Sequence, residues 1–358
     1  MGKIDIQGME LQEIKNLLQQ LEEPEYRAKQ LFQWIQQKGA SSFTEMTNIP
    51  KKLQEKLNGL QLLHPPKITK IRRSQVDDTV KYLLTLDDGN TIETVRMSYL
   101  GKEIKDRHTV CVSTQVGCAM GCVFCATGLS GWKRNLTTGE ILAQVLVAQR
   151  ELQKDAPTEK ITNVVFMGMG EPLLNYANVL KAIHILNDPL GLNISMRRIT
   201  LSTCGIVPKI YELAEEKLPI VLAISLHAPN NTLRDRLVPV NKKYPLEILL
   251  EACQHYIKST GRRITFEYAL ISEVNDSLHH ARELIKLLAD LKANVNLIPL
   301  NTVQETGLVR SSKSSALTFW HELESAGIAV TFREEKGSDI EAACGQLRRR
   351  GVEENVYF

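Results

Sequence analysis

Four of the chain's seven cysteines fall between residues 111 and 128, in CVSTQVGCAMGCVFCATG. Cys118, Cys122 and Cys125 form a C-x3-C-x2-C triplet, and Cys111 stands seven residues ahead of it. Thiolates this close together can hold a metal centre. A closed tetrahedral zinc site takes four Cys or His ligands, so a zinc reading has to recruit Cys111 or His108. Iron–sulfur clusters are held by thiolates too, and a four-iron cluster with three protein ligands keeps one iron open to a small molecule. A disulfide framework is not expected. The N-terminus, MGKIDIQGMELQEIKN, is charged throughout and has no signal-peptide core. No apolar run reaches the roughly 18 residues of a membrane helix. The expectation is a cytoplasmic protein with no membrane partner, where clustered cysteines serve metal or redox chemistry.

The elements that must position these thiols follow from periodicity. The 358 residues are 43% hydrophobic and 24% charged, as in a globular enzyme with room for one large and one small domain. From about residue 108, β-like runs (HTVCVS, ITNVVFM, RRITLS, PIVLAIS, RITFEYAL, NVNLIP, IAVTFR) alternate with helical stretches at 138–152, 176–187, 206–217, 246–259, 278–291 and 313–326. That alternation predicts a parallel sheet, either doubly wound or a partial (β/α) barrel. Ligands of such sheets sit at the carboxyl ends of the strands. Four polar motifs fall there: MGMGEP, STCG, SLHAPN and LNT.

Upstream, residues 9–63 read as three short helices, with Tyr26, Leu31, Phe32 and Ile35 as the buried face of the second. HPP at 64–66 ends this unit, and KITKIRRS, TVKYLLTL and NTIETVRM read as strands, the last two joined by a hairpin turn at DDGN. Lys67, Lys70, Arg72, Arg73 and Lys81 make a basic strip here, and Lys51, Lys52 and Lys56 lie nearby. Such a strip is either a solvated face or a phosphate-contacting surface. The net charge of +3 decides nothing about nucleic acid on its own.

The triplet after a first strand is the signature of the radical S-adenosylmethionine enzymes, and MGMGEP resembles the segment with which they receive the methionine amino group. Further, VCVSTQVGCAMGCVFCATG, NVVFMGMGEPLLN, LSTCGIVP, AISLHAPN, LVPVNKKYP and GSDIEAACGQL, in this order, resemble the RlmN family of dual-specificity RNA adenine methyltransferases. The resemblance runs from about residue 90 to 347, and the helical N-terminal unit is of that family's type. It implies an α/β fold: a partial (β/α)6 barrel at 104–345, an N-terminal helical RNA-binding-type domain at 1–66, a β-rich linker at 67–103 and a tail at 346–358.

It also implies a reaction. The substrates would be carbon 2 of an adenosine in the peptidyl transferase centre of 23S rRNA and of an adenosine in the anticodon loop of some tRNAs. That carbon is electron-poor and carries no acidic proton, so a radical route is reasonable. Cys118, Cys122 and Cys125 would hold a four-iron, four-sulfur cluster. Cys344 would take a methyl group from a first S-adenosylmethionine, and a second would be cleaved to a radical that activates this methyl for addition to the base. Glu93, in TIETV, would remove the carbon 2 proton. Cys111 would then attack Cys344, release the RNA and leave a disulfide for reduction. Gly170, Glu171, Ser202, Ser225, Leu226, His227 and Asn301 would bind S-adenosylmethionine. The family commonly has Pro after that Asn, whereas Thr302 and Val303 follow here. An electron donor such as flavodoxin is a further implied partner. Arg197, Arg198, Lys242, Lys243 and Arg348 to Arg350 could meet RNA phosphates. Cys253 reads as core, and Cys204 lies near the ligand mouth. Two other readings stand beside this one. A Cfr-type relative methylates carbon 8 of the same rRNA adenosine and tends to have Ala where Pro172 stands. A zinc-dependent RNA-binding protein would have no catalysis.

Overall fold

The computed structural model describes residues 5–101 and 106–348. The expectations for Arg349, Arg350 and most of the C-terminal tail therefore lie outside the described residues. The N-terminal unit holds α1 (Leu11–Gln20), α2 (Tyr26–Phe32, running on into a π-helical turn at Gln33–Gln37) and α3 (Lys51–Gly59). In the second helix Ala28, Leu31, Phe32 and Ile35 are all fully buried, an i, i+3, i+4, i+7 stripe. Tyr26 falls off that stripe: it is 60% exposed and carries the Arg27 guanidinium over its ring, which corrects its expected burial.

The linker is a meander of β1 (Lys67–Arg73), β2 (Thr79–Thr85) and β3 (Thr91–Tyr99). β2 and β3 are covered on both faces, which corrects the reading of Lys81 as part of an exposed basic strip. Lys81 is buried, lies 3.1 Å from the buried Glu93 carboxylate and donates to the Glu341 carbonyl. A buried cation without these partners would carry a desolvation cost of several kcal/mol. Arg72 and Arg73 face Glu341 and Asp155 at 3.6 and 3.3 Å.

The main domain runs through β4 (Arg107–Cys111), a small hairpin of β5 (Gln115–Gly117) and β6 (Trp132–Asn135) enclosing α4 (Ala126–Leu129), and α5 (Thr138–Asp155). It continues as β7 (Asn163–Phe166), α6 (Tyr176–Asn187), β8 (Ile199–Thr203), α7 (Val207–Glu215) and β9 (Val221–Ser225). After α8 (Asn231–Leu237) and α9 (Leu246–Thr260) come β10 (Ile264–Leu270), α10 (Leu278–Leu288), β11 (Ala293–Pro299), α11 (Lys313–Ser325) and β12 (Ala329–Phe332). β4, β7, β8, β9, β10, β11 and β12 pair in parallel in that order, and β3 joins β4 antiparallel. A doubly wound sheet reverses its strand order at a switch point. This one never does, so it is the partial (β/α)6 barrel, six β/α units from β4 to α11 closed by a seventh strand, β12, with the meander added at one edge.

One hydrophobic core runs through both parts of the chain. The N-terminal unit lies along the outside of α5 and α6, with Gln36 donating to the Gln7 carbonyl beside α5, Arg150 donating to the Gly39 carbonyl and Lys181 paired with Glu13 at 2.6 Å. No helix among the described residues is long and apolar enough to cross a membrane.

After β12 the chain does not return as a strand. Residues 333–348 cross the gap between β12 and the meander as an irregular strap. The Gly337 N–H donates to Asp77, Asp339 accepts from Ser74 and from the Gln75 N–H, and Glu93 accepts from the Arg348 N–H. Gly337 has φ +65°, and a Cβ there would sit 2.7 Å from Thr79 Cγ2, so the turn that starts the strap requires glycine.

Candidate active site

The loops at the carboxyl ends of β4, β7, β8, β9 and β11 surround one cavity of about 960 Å³, counting its open mouth. Cys118, Cys122 and Cys125 form part of its wall, together with Gly170, Glu171, Ser202, Ser225, His227, Asn301 and Cys344. The cysteine loop is held at both ends: the Cys118 N–H donates to Gly131 O at 2.9 Å, and the Val123 N–H to Leu237 O at 3.2 Å. Burial raises the pKa of Cys118 and of Cys125 above the ordinary thiol range.

Glu171 is buried. Its Oε1 accepts from the Leu173 N–H at 3.0 Å and its Oε2 from the Cys204 N–H at 2.7 Å. Burial raises its pKa, and these hydrogen bonds to the charged form oppose the rise. Gly170 brings the backbone to this point with φ +104°, and a Cβ there would lie 2.6 Å from Gln115 Cβ and 2.8 Å from Gln115 N. Gly170→Ala combines left-handed strain with overpacking, a loss of about 2–4 kcal/mol in the loop. On the S-adenosylmethionine site that the sequence resemblance implies, the expected outcome is a lower unfolding temperature and binding of that ligand weakened at least tenfold in equilibrium dialysis. Unchanged affinity would remove this loop from the ligand site.

Ser202 and Ser225 stand on neighbouring strands with their hydroxyls 3.4 Å apart. His227 takes φ +60°, its Nδ1 accepts from the Ala269 N–H at 3.0 Å, and its ring meets Phe124 edge-on at 4.6 Å. Burial pushes its pKa down to about 3. The ring is therefore neutral, with its proton on Nε2 as a donor. Leu226 is the exception among the expected ligand residues. Its side chain is fully buried in the core, its N–H donates to the Glu267 carbonyl and its own carbonyl accepts from Arg234. Strand alternation sends it away from the cavity that Ser225 and His227 line.

The strap delivers Cys344 to the same cavity. Asn301 Nδ2 donates to the Cys344 carbonyl at 2.9 Å, the Ala126 N–H to Gly345 O at 2.8 Å, and Gln346 Nε2 to the Thr302 carbonyl at 3.1 Å. The departure at Thr302 thus leaves its carbonyl holding the strap. Asn301 Oδ1 is buried without a hydrogen-bond partner, a vacancy suited to a ligand N–H or O–H. A second cavity adjoins the first and shares Cys344, Asn301, Met167 and Arg333 with it; Cys111 lines its wall. Burial pushes the Cys111 thiol up to about 12, so it is protonated near neutral pH.

Glu93 lines neither cavity. It lies beneath the strap, between Lys81 and the Arg348 N–H. The phosphate-contact expectations divide. Lys242 and Lys243 are exposed on the segment beside the cysteine loop. Arg197 and Arg198 are exposed too, but they precede β8 and so lie at the amino end of the barrel, away from the mouth. Arg348 faces Glu305 and Glu341. Cys253 is fully buried in α9.

Three charged residues were not singled out in the sequence. Arg234 is fully buried and donates to the carbonyls of Cys204, Ser225 and Leu226, tying two strand ends together. Glu267 and Arg333 both line the main cavity. A carboxylate inside the apolar strand RITFEYAL, and an arginine at the carboxyl end of the closing strand, were the available signals.

The donor set can be weighed against the two metal readings. His108 is taken up by Ser98 and Glu159 at 2.8 and 3.2 Å, and Cys111 faces the second cavity, so neither proposed fourth zinc ligand joins the triplet. Among the described residues no three His, Cys, Asp or Glu side chains converge as ligands of one ion would. A four-iron cluster asks instead for soft thiols that each take a separate iron, beside a polar recess for the molecule on the open iron. The three cysteines, Glu171 and the unpartnered Asn301 Oδ1 fit that requirement.

Comparison with known proteins agrees with this geometry. The sequence model of the Radical SAM superfamily matches residues 112–288, and that of the Ribosomal RNA large subunit methyltransferase N-terminal domain matches residues 4–62. A probable dual-specificity RNA methyltransferase RlmN from Desulfitobacterium hafniense (strain Y51) is 50% identical over 98% of each chain. One from Clostridium novyi (strain NT) is 49% identical over 98% of this chain and 99% of its own. The crystal structure of a radical SAM methyltransferase from Sphaerobacter thermophilus superimposes with a TM-score of 0.92 at 44% identity, covering 96% of this chain and 99% of the other. With half its residues shared over nearly full length, and the fold shared as well, the chain belongs to the RlmN family of radical S-adenosylmethionine RNA methyltransferases.

Proposed function

We propose that this protein methylates carbon 2 of adenosine in RNA through a methylated cysteine. The substrates are an adenosine of the peptidyl transferase centre of 23S rRNA and one in the anticodon loop of some tRNAs. One observation supports this reading above the others: Cys344 lies on the wall common to two cavities, with the three clustered thiols in one and Cys111 in the other. A relay of carbon from ligand to base, followed by release, needs that order of neighbours.

The cluster held by Cys118, Cys122 and Cys125 would supply one-electron cleavage of S-adenosylmethionine when bound, with electrons from a donor such as flavodoxin. The chain's own residues do the rest. Glu171 and Asn301 present acceptors to the ligand's amino and hydroxyl groups, and His227 presents a neutral N–H. Cys344 attacks the sulfonium methyl of a first S-adenosylmethionine, forming an S–CH3 bond as the thioether leaves; a second molecule is consumed in the radical step. Once that carbon is joined to adenine, the adduct radical gives up one electron, which the bound cluster would take back, and Glu93 takes the carbon 2 proton, which requires the strap above it to shift. Cys111, as its thiolate, then attacks the Cys344 sulfur; the carbon–sulfur bond breaks with its electron pair on the methylene carbon, a proton completes the methyl group on adenine, and a disulfide remains. The high pKa of Cys111 keeps it silent in the resting enzyme.

Protein isolated from cells should carry a methylene-sized mass increase on the tryptic peptide 337–348, placed on Cys344 by fragmentation. A Cys344 that is unmodified after incubation with S-adenosylmethionine and reductant would sink the relay.

A further inference from the structure

Cys204 has no part in the proposed reaction, yet its Sγ lies 3.7 Å from Cys122 Sγ. Its backbone is pinned on both sides, by Glu171 at the N–H and by Arg234 at the carbonyl. The sulfur can therefore swing about one side-chain bond toward Cys122 while the strand end stays in place. Both side chains border the main cavity, which is open to small molecules. All seven cysteines are free thiols in this structure.

We propose that Cys204 is a resolving thiol for Cys122: in the cluster-free protein, peroxide oxidises Cys122 and Cys204 closes on it as a disulfide that reduction reopens. The inference rests on the reading of Cys122 as a cluster ligand, because only then does its oxidation state decide whether the enzyme can be rebuilt. The chemistry balances. Cys122 thiolate and one hydrogen peroxide, with a proton, give the sulfenic acid and water. The Cys204 thiol attacks that sulfur and expels a second water, so two thiols lose two electrons to one peroxide. With no neighbouring thiol, a second peroxide would carry Cys122 to the sulfinic acid, which thiol reductants do not reverse. With Cys204 in contact, the faster step is closure, and thiol–disulfide exchange restores both thiols.

The test uses the full chain purified without cluster under anaerobic conditions and treated with hydrogen peroxide. Alkylation and non-reducing peptide mapping should show peptide 199–209 joined to peptide 108–133, with fragmentation placing the bond at Cys122. After dithiothreitol, iron and sulfide should restore the cluster absorbance fully in the wild type. Cys204→Ser should load as well as wild type before peroxide, which reports its fold. After peroxide and dithiothreitol it should load several-fold less and carry sulfinic acid at Cys122. A disulfide confined within peptide 108–133, or a Cys204→Ser protein that recovers as fully as wild type, would overturn the proposal. If Cys122→Ser loads a full complement of iron before any oxidation, the ligand reading fails instead, whatever the disulfide map shows.

Discussion

Cys111→Ala should end its first turnover covalently joined to RNA. Cys111 and Cys344 face the same small cavity, and Cys344 also borders the chamber that holds the three clustered thiols. In the proposed reaction, loading of Cys344 and addition to the base need only that chamber, and release needs the second thiol. Removing Cys111 therefore leaves the first half of the reaction intact and stops the second, with a thioether bridge between Cys344 and the base. On a denaturing gel the expected result is a slow-migrating protein–RNA band that persists in reductant and disappears on nuclease digestion. Cys111→Ala,Cys344→Ala should show no band, because no carbon is available to bridge. If Cys111→Ala turns over normally, Cys111 is a packing residue of β4, which its burial beside the core would allow. A band that survives loss of Cys344 would break the order proposed here.

Cys118→Ala should lose the cluster and all RNA methylation together. The three thiols share one wall, and the shape of the loop does not depend on the Cys118 sulfur: its backbone N–H reaches Gly131 O. The side chain is only partly buried, so truncation should cost little stability. Anaerobic reconstitution of the wild type should give about four irons and matching sulfide per chain, a broad charge-transfer band and a paramagnetic reduced state. Cys118→Ala should fall to background in all three while keeping its circular dichroism. Stoichiometric zinc without sulfide in carefully purified wild type would contradict the assignment.

Much of the scaffold could be read from periodicity. The helix expected at 176–187 spans those same residues, and each run assigned as a strand from residue 108 onward overlaps one to within a residue or two at its ends. Local pattern sufficed because each βα unit buries its own apolar face. Winding was not legible from the pattern, since a doubly wound sheet and a partial barrel share the same alternation and differ in strand order alone. The strap was also out of reach. Residues 333–348 have no periodicity, and they are placed by single hydrogen bonds to Asp77, Glu93 and Asn301, which lie far away in sequence. Nothing in the local pattern singles out Arg234, and only the tertiary fold turns it inward onto three carbonyls. Lys81 failed as a basic-strip residue for the same reason: a strap and a sheet close over it.

Nucleoside mass spectrometry of RNA tests the central claim most directly. Purified, reconstituted protein would be incubated anaerobically with unmodified 23S rRNA fragment or tRNA, S-adenosylmethionine and a one-electron reductant, and the digested nucleosides compared with synthetic standards. The account predicts 2-methyladenosine, dependent on Cys344 and on the three clustered cysteines. Appearance of 8-methyladenosine in its place, or of no methylated adenosine from a fully iron-loaded enzyme, would contradict it.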